Sequence, residues 1–415
     1  MSATSRPIER CQVCNGRKLE PVLFVGYIPP VNTMPAIGSV PVEQPAYPLE
    51  LLRCPECTLV QIGLEVAPEV LFPESYPYLS GTTRILRDNF ADLQRESAAM
   101  LGLGKGSLVI DIGSNDGTLL APFAEAGHAV LGIEPSQAGK VARKRGIDTL
   151  QAYFSRETAR DVRAKRGQAQ LVTAANVFAH IGDIHSVVDG VLDLLAPRGV
   201  FVSESHYLLD LVQTLQYDTI YHEHLRHYAL GSLAYLLAVH GLEPFHVKRI
   251  PTHGGSIRVY AARKGERAVQ PSVKERLADE ERAGLTSGAA LKDFRARVVR
   301  SKLDLHALLA PIKARGERIY GIGAPSRAST LINYTGLDDG MIEAVMEVSG
   351  SHKLDKYVPG TRIPVLDEAR LFADQPEYAL LLSWHIADEL ARNLRRKGYR
   401  GRFIAPLPTP RVLDL

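Results

Sequence analysis

Four cysteines, all within the first 57 residues and arranged as Cys11-Gln-Val-Cys14 and Cys54-Pro-Glu-Cys57, restrict the start of this 415-residue chain more than any other feature. Two thiolates two residues apart on a tight turn converge on one face of a tetrahedral ion, and a second such pair completes a four-sulfur zinc shell. The competing reading, two disulfides, requires an oxidising compartment for which nothing else in the sequence argues. A four-sulfur shell leaves no position open to water or substrate, so the expected zinc is structural. The 39 residues between the pairs exceed the usual ribbon spacing and must fold as a small insert. Its prolines (Pro29, Pro30, Pro35, Pro41, Pro45 and Pro48) predict extended loops and short strands rather than helix.

A chain of this length divides into two or three domains. Its 49 basic and 46 acidic residues, net +3, are too balanced to predict a nucleic-acid partner. The opening Met-Ser-Ala-Thr-Ser-Arg-Pro lacks the apolar core of a signal peptide, and no apolar run approaches the length of a spanning helix. A cytoplasmic protein without a membrane partner is expected.

Beyond the cysteines, Tyr76-Pro-Tyr78-Leu-Ser80-Gly81-Thr82-Thr83 is a turn-rich, aromatic and hydroxyl-bearing linker before a helix from about Arg84 to Met100. It reads either as the lining of a substrate cleft or as a packed hinge. Ser107 to Leu120 follows, a buried apolar strand running into a glycine turn and then a helix, with glycines at 113 and 117 and Asn115-Asp116 between them. A dinucleotide fingerprint needs G-x-G-x-x-G, and an Asp at the helix start would repel pyrophosphate, so a cationic ligand fits better. The second strand, Ala129 to Ile133, ends in Glu134, 23 residues after Asp111 and placed to grip a ribose diol.

Asp-x-Gly-x-x-x-Gly with an acid ending the second strand resembles class I methyltransferases that bind S-adenosylmethionine. The resemblance implies cofactor contacts from Asp111, Gly113, Asn115, Asp116 and Gly117 at the turn, from Glu134 at the ribose, and from Asn176 after the strand Leu171 to Asn176.

The stretch Tyr217 to Tyr228 holds three imidazoles, a glutamate and three phenols. A zinc-protease helix fails on spacing, because His222 faces Leu225 and Arg226 at the helical offsets. What remains is a set suited to proton transfer: His as base, Glu to orient it, Tyr to donate to an oxyanion. The competing reading is a polar helix start with scattered histidines. Later, His253-Gly254-Gly255 forms a glycine turn before a strand, and Val273 to Lys313 reads as a long helix pair. The last unit repeats strand, glycine turn and helix from Arg318 to Thr330. There Gly321 and Gly323 let the backbone approach an anion, and Ser326, Arg327 and Ser329 are placed to donate to phosphate. The single tryptophan, in Ser383-Trp384-His385, stands at a strand end where ligands collect in such sheets.

The whole order of features resembles the sugar C-methyltransferases acting on nucleotide-linked 4-keto-6-deoxy sugars. The resemblance implies an α/β protein with a small zinc-binding N-terminal domain (1–75), a doubly wound class I methyltransferase domain (76–245) and a C-terminal Rossmann-like nucleotide-sugar-binding domain (246–415). It assigns catalysis to Tyr221, Glu223, His224 and His180, and substrate contacts to Tyr76, Tyr78, Ser80, His253, Gly323, Ser326, Arg327 and Ser329. A monomer suffices, because three domains in one chain can enclose a site. Two rivals stand beside it: O- or N-methylation of a nucleotide sugar, and a nicotinamide-dependent oxidoreductase. The second is disfavoured because Gly321-Ile-Gly323 lacks a third glycine and no ribose acid is recognised after the second strand of that unit.

Overall fold

The computed structural model describes residues 4–72 and 79–414. Among them, three sheets carry the architecture. The N-terminal sheet is antiparallel, its strands ordered Arg226–His227, Val60–Ile62, Tyr47–Arg53, Glu20–Ile28. The insert between the cysteine pairs thus forms a hairpin of Glu20–Ile28 and Tyr47–Arg53, joined by the proline-rich residues 29–46. Its fourth strand comes from far downstream: Arg226 pairs with Gln61 and His227 with Val60.

The central sheet has seven strands in the order Leu242–Ile250, Ser256–Arg263, Leu195–His206, Ala169–Ala175, Leu108–Ile112, Ala129–Ile133, Thr149–Leu150. The last five are parallel and the first two antiparallel. Their apolar runs are buried on both faces, as helix-covered parallel strands require; Val109 and Ile110 expose nothing. The sheet runs past the expected boundary at 245/246, because Leu242–Ile250 and Ser256–Arg263 form a hairpin that completes its edge. The helix Arg84–Leu101 is pinned to this edge by a buried network: Arg258 bonds Glu204 at 2.6 Å, Glu96 at 2.7 Å and the Asn89 side chain at 2.9 Å.

Two helices, Pro271–Arg282 and Ala289–Ala314, lead into the C-terminal unit. The longer buries Leu291, Phe294, Val298, Leu305, Leu309 and Ile312, an i, i+3, i+4 stripe. The C-terminal sheet also has seven strands: Lys356–Tyr357, Pro364–Asp367, Ala344–Glu347, Ile319–Ile322, Tyr378–Leu381, Arg402–Ala405, Arg411–Leu413. Its middle five are parallel. Among the described residues no helix is long and apolar enough to cross a membrane.

Candidate active site

At the first glycine turn, Gly113 and Gly117 hold φ of +68° and +78°, which side-chain-bearing residues rarely adopt. A Cβ on Gly113 would also meet Val177 Cγ2 at 2.6 Å. The Glu134 carboxylate accepts from the amides of Asn115 at 2.9 Å and Ser136 at 2.8 Å, so the second strand is locked to the turn. Asp111, at the end of its strand, accepts from Thr173 Oγ1 at 2.6 Å. Burial pushes its carboxyl up to about 8, with the Glu134 and Glu204 charges adding to the effect. A desolvated acid beside two others favours a cationic guest, which fits a sulfonium cofactor with its ammonium group. Asn176, with φ +58°, follows the adjacent strand.

Asp116 and Asn115 do something the sequence did not announce. The Asp116 carboxylate is fully buried, with Arg145 at 3.0 Å and the Thr118 hydroxyl at 2.6 Å. It also accepts the Gly81 amide at 3.1 Å, while Asn115 Oδ1 accepts the Ser80 amide at 2.9 Å. Both side chains therefore hold the 80–82 segment, and the argument that a bare Asp116 would repel pyrophosphate is weakened by its Arg145 partner. Ser80 itself is brought to the cofactor turn through its backbone. Tyr76 and Tyr78 lie outside the described residues.

The stretch Tyr217 to Tyr228 is not a helix start. It is a 3-10 turn at Tyr217–Thr219, then a loop, then the short strand Arg226–His227 in the N-terminal sheet. His224 Nδ1 lies 2.7 Å from the Thr219 carbonyl and His180 Nδ1 lies 2.7 Å from the Glu223 carbonyl. Each carbonyl can only accept, so each Nδ1 carries the proton; the neutral His224 ring leaves Nε2 with its lone pair, while His180 also meets the Asn176 carbonyl. The His224 ring centroid is 4.2 Å from that of Tyr221 and 5.0 Å from that of His180. Burial, then the neighbouring imidazoles His180 and His227, hold His224 well below the usual histidine value. The Thr219 carbonyl holds His224, and the Glu223 carbonyl holds His180. The Glu223 side chain instead accepts from Asn32 Nδ2 at 2.7 Å, a residue of the proline-rich insert. His222 turns away, its Nε2 3.4 Å from the Pro48 carbonyl.

The His-Gly-Gly turn is pressed against this loop. A Cβ on Gly254 would meet Gln216 Oε1 at 2.6 Å and one on Gly255 would meet Asp210 Oδ2 at 2.5 Å. His253 takes a left-handed φ of +56° and is exposed. The protein around it, and then the Arg327 charge, push it down to about 4.

In the C-terminal unit the structure departs from expectation at Arg327. Its guanidinium is held by both Asp218 oxygens, at 2.7 and 2.8 Å, and lies 4.9 Å from the Trp384 ring centroid. Asp218 also accepts the Trp384 indole N–H at 2.7 Å. This fork ties the C-terminal unit to the residues just before Tyr221, so the Arg327 charge is already balanced and is not an open phosphate donor. Buried Ser329 stands on the same helix, Ser326–Thr335, which Ser326 opens. The cation at the glycine turn is Lys353, whose Nζ donates to the Ala324 carbonyl. A second-strand acid is also present: Glu347 accepts from the amides of Ala324 at 2.8 Å and Val348 at 3.0 Å. Glu347 is the last residue of the strand Ala344–Glu347 and was not recognised as its terminal acid from the sequence. Gly323, with φ +80°, brings the turn within 2.9 Å of Ser383 Oγ for a built Cβ.

The four cysteine sulfurs lie within 4.8 Å of one another, with Cys11 and Cys57 at 3.3 Å and Cys14 and Cys54 at 3.4 Å. That clustering fits one tetrahedral zinc ion held by Cys11, Cys14, Cys54 and Cys57. The site is not remote from the catalytic stretch. Gln12, inside the first cysteine turn, accepts from buried Arg226 at 2.8 Å, and Val60–Ile62, just past Cys57, pairs with Arg226–His227.

Three family models tile the chain: a zinc binding domain over residues 11–72, a methyltransferase domain over 84–247 and a C-methyltransferase C-terminal domain over 251–408. The chain is 35% identical over 413 residues to the C-methyltransferase NovU of Streptomyces niveus, covering 99% of this chain and 98% of that protein. A ubiquinone biosynthesis O-methyltransferase of Rhodopseudomonas palustris (strain TIE-1) is 28% identical over 118 residues, 28% of this chain and 47% of that one. Among solved structures, the magnesium protoporphyrin IX methyltransferase of Synechocystis PCC 6803 with bound SAH aligns at a TM-score of 0.35 and 16% identity, over 43% of this chain and 83% of that one. Three matching domains in order, and a C-methyltransferase relative over the full length, place this chain in the family of zinc-binding, S-adenosylmethionine-dependent C-methyltransferases.

Proposed function

We propose that the substrate is a nucleotide-linked 4-keto-6-deoxy sugar, that the carbon methylated is C-3 beside the ketone, and that His224 removes its proton. A C–H bond is a poor nucleophile, so the carbon must first become an enolate. The observation that carries the reading is the His224 tautomer: Nδ1 is committed to the Thr219 carbonyl at 2.7 Å, which leaves Nε2 as the basic nitrogen. The proton passes from C-3 to Nε2 and the electron pair moves onto the ketone oxygen. His180 commits its own Nδ1–H to the Glu223 carbonyl, so the Tyr221 hydroxyl is the better donor to that oxyanion. S-adenosylmethionine, when bound, supplies the methyl group to the enolate carbon. The closed four-sulfur zinc takes no part in the proton transfer and holds the strand that ends the catalytic stretch.

The test is mass spectrometry of products after incubation with S-adenosylmethionine and a panel of nucleotide-linked 4-keto-6-deoxy sugars in heavy water. A methyl on the carbon beside the ketone supports the reading and names the nucleotide; neither methylation nor deuterium uptake with any sugar overturns the substrate class. His224→Asn should lower turnover by about 10²–10⁴-fold, and unaltered turnover would remove His224 as the base. Because surrounding protein holds His224 well below its usual value, kcat at saturating S-adenosylmethionine should not fall as pH drops through the ordinary imidazole range near 6.5.

A further inference from the structure

The N-terminal unit reaches the catalytic centre through a residue 191 positions upstream of the one it touches. The proline-rich insert leaves the hairpin at Ile28, and its next residues are clamped to the C-terminal unit. Ile37 N donates to the Asp355 carbonyl at 2.9 Å, and Tyr357 N donates to the Pro35 carbonyl at 2.8 Å. Pro29 packs so closely on Gly360 that a Cβ there would meet its Cγ at 2.9 Å. Between these anchors, flanked by buried Pro30 and Val31, stands Asn32. Its Nδ2 donates to Glu223 Oε1 at 2.7 Å.

We propose that Asn32 is a positioning residue of the C-methylation site, acting through Glu223. The inference rests on the reading of the Tyr221-to-His224 stretch as the reaction centre. Glu223 is 4% exposed, and its carbonyl holds the His180 ring while its neighbour His224 carries the base. Fixing the Glu223 side chain therefore fixes the peptide whose carbonyl holds the His180 ring and whose amide nitrogen belongs to His224. A rigid insert residue does this at small entropic cost, because prolines on either side of the bond already restrict its backbone. The charged and titratable groups around Glu223 are Lys353 from the C-terminal unit, whose charge it feels, and His180 and His224 from the central one. The neutral amide of Asn32 is the donor that this side chain takes from the N-terminal unit.

The experiment compares Asn32→Ala, Asn32→Asp and Glu223→Gln in the full chain loaded with zinc, with S-adenosylmethionine and dTDP-4-keto-6-deoxyglucose, or whichever panel sugar turns over, as probes. Asn32→Ala should lower kcat about ten- to a hundredfold while leaving the S-adenosylmethionine KM within twofold, because misplaced groups cost rate rather than cofactor binding. Asn32→Asp sets two carboxylates at hydrogen-bond distance, which share one proton. Its kcat should therefore be lowest near pH 9 and recover toward pH 6, a recovery that Asn32→Ala lacks. A structural role for the insert alone would make the two pH profiles parallel, and that result overturns the proposal. So does native kcat in Asn32→Asp from pH 6 to 9 when Glu223→Gln is impaired, which removes Asn32 while keeping the catalytic stretch. Native turnover in Glu223→Gln overturns the reading of the stretch at Glu223, and with it the role of Asn32.

Discussion

The two glycine turns of this chain use one backbone device in two electrostatic settings. In the central unit, Glu134 ends the second strand and accepts the amides of Asn115 and Ser136; in the C-terminal unit, Glu347 ends the second strand and accepts the amides of Ala324 and Val348. The backbone therefore does not distinguish them. What differs is the charge nearby. The first turn gathers Asp111, Glu134 and Glu204, whose mutual fields and burial raise Asp111 to about 8. The second is approached by Lys353, and its Arg327 is cancelled by Asp218. The same strand, tight turn and acid thus stand among further acids in one unit and beside a lysine in the other.

The strongest way to break this comparison is to remove each acid in turn and titrate both ligands by calorimetry. Glu134→Ala should raise the Kd for S-adenosylmethionine about ten- to a hundredfold, the worth of hydrogen bonds to a charged group, while Glu347→Ala leaves that Kd within twofold. Equal losses from both would show that the cofactor does not select the acid-rich turn. The next effect is one of pH. Because the free enzyme keeps Asp111 protonated below about 8 and a cationic guest favours the ionised form, binding releases a proton. Affinity for S-adenosylmethionine should then fall by up to about tenfold per unit as pH drops below that value and level off above it. Asp111→Asn should flatten the curve, and a native profile without slope would break the assignment of that acid to the cofactor. The smallest effect belongs to Lys353. Lys353→Ala should raise the KM for a nucleotide-linked substrate about tenfold at low salt and less at high salt, since screening weakens a single charge contact. An unchanged KM at both ionic strengths would leave the second turn without an anionic guest.

How much of this was legible depends on distance along the chain. The cysteine pairs, the two strand-turn-helix openings and Glu134 as the acid that ends the second strand were readable because each is a local pattern a few residues long, or a fixed offset within one βαβ unit. Arg327, expected as a phosphate donor, shows the opposite case: its ion pair with Asp218 was not legible. Its neighbours Ser326 and Ser329 describe a phosphate loop, but its partner Asp218 is 109 residues away, and only packing brings the two within 2.7 Å. Trp384, equally readable as core or site, is both buried and bonded to that same carboxylate. Glu223 or a neighbour was expected to orient His224; the carbonyl that meets its Nδ1 is that of Thr219, five residues back, since a loop rather than a helix carries the stretch.

Composition and spacing alone determined a zinc-type cysteine cluster, two nucleotide-crevice folds and a stretch dense in groups that move protons, because short-range sterics and ligand geometry are written in neighbouring residues. Which side chains reach one another was left to the tertiary structure. Arg226 meets Gln12 across 214 positions and Asn32 meets Glu223 across 191. Those pairings exist because burial leaves a polar group no water to turn to, so the fold must bring it a partner from wherever in the chain one is available.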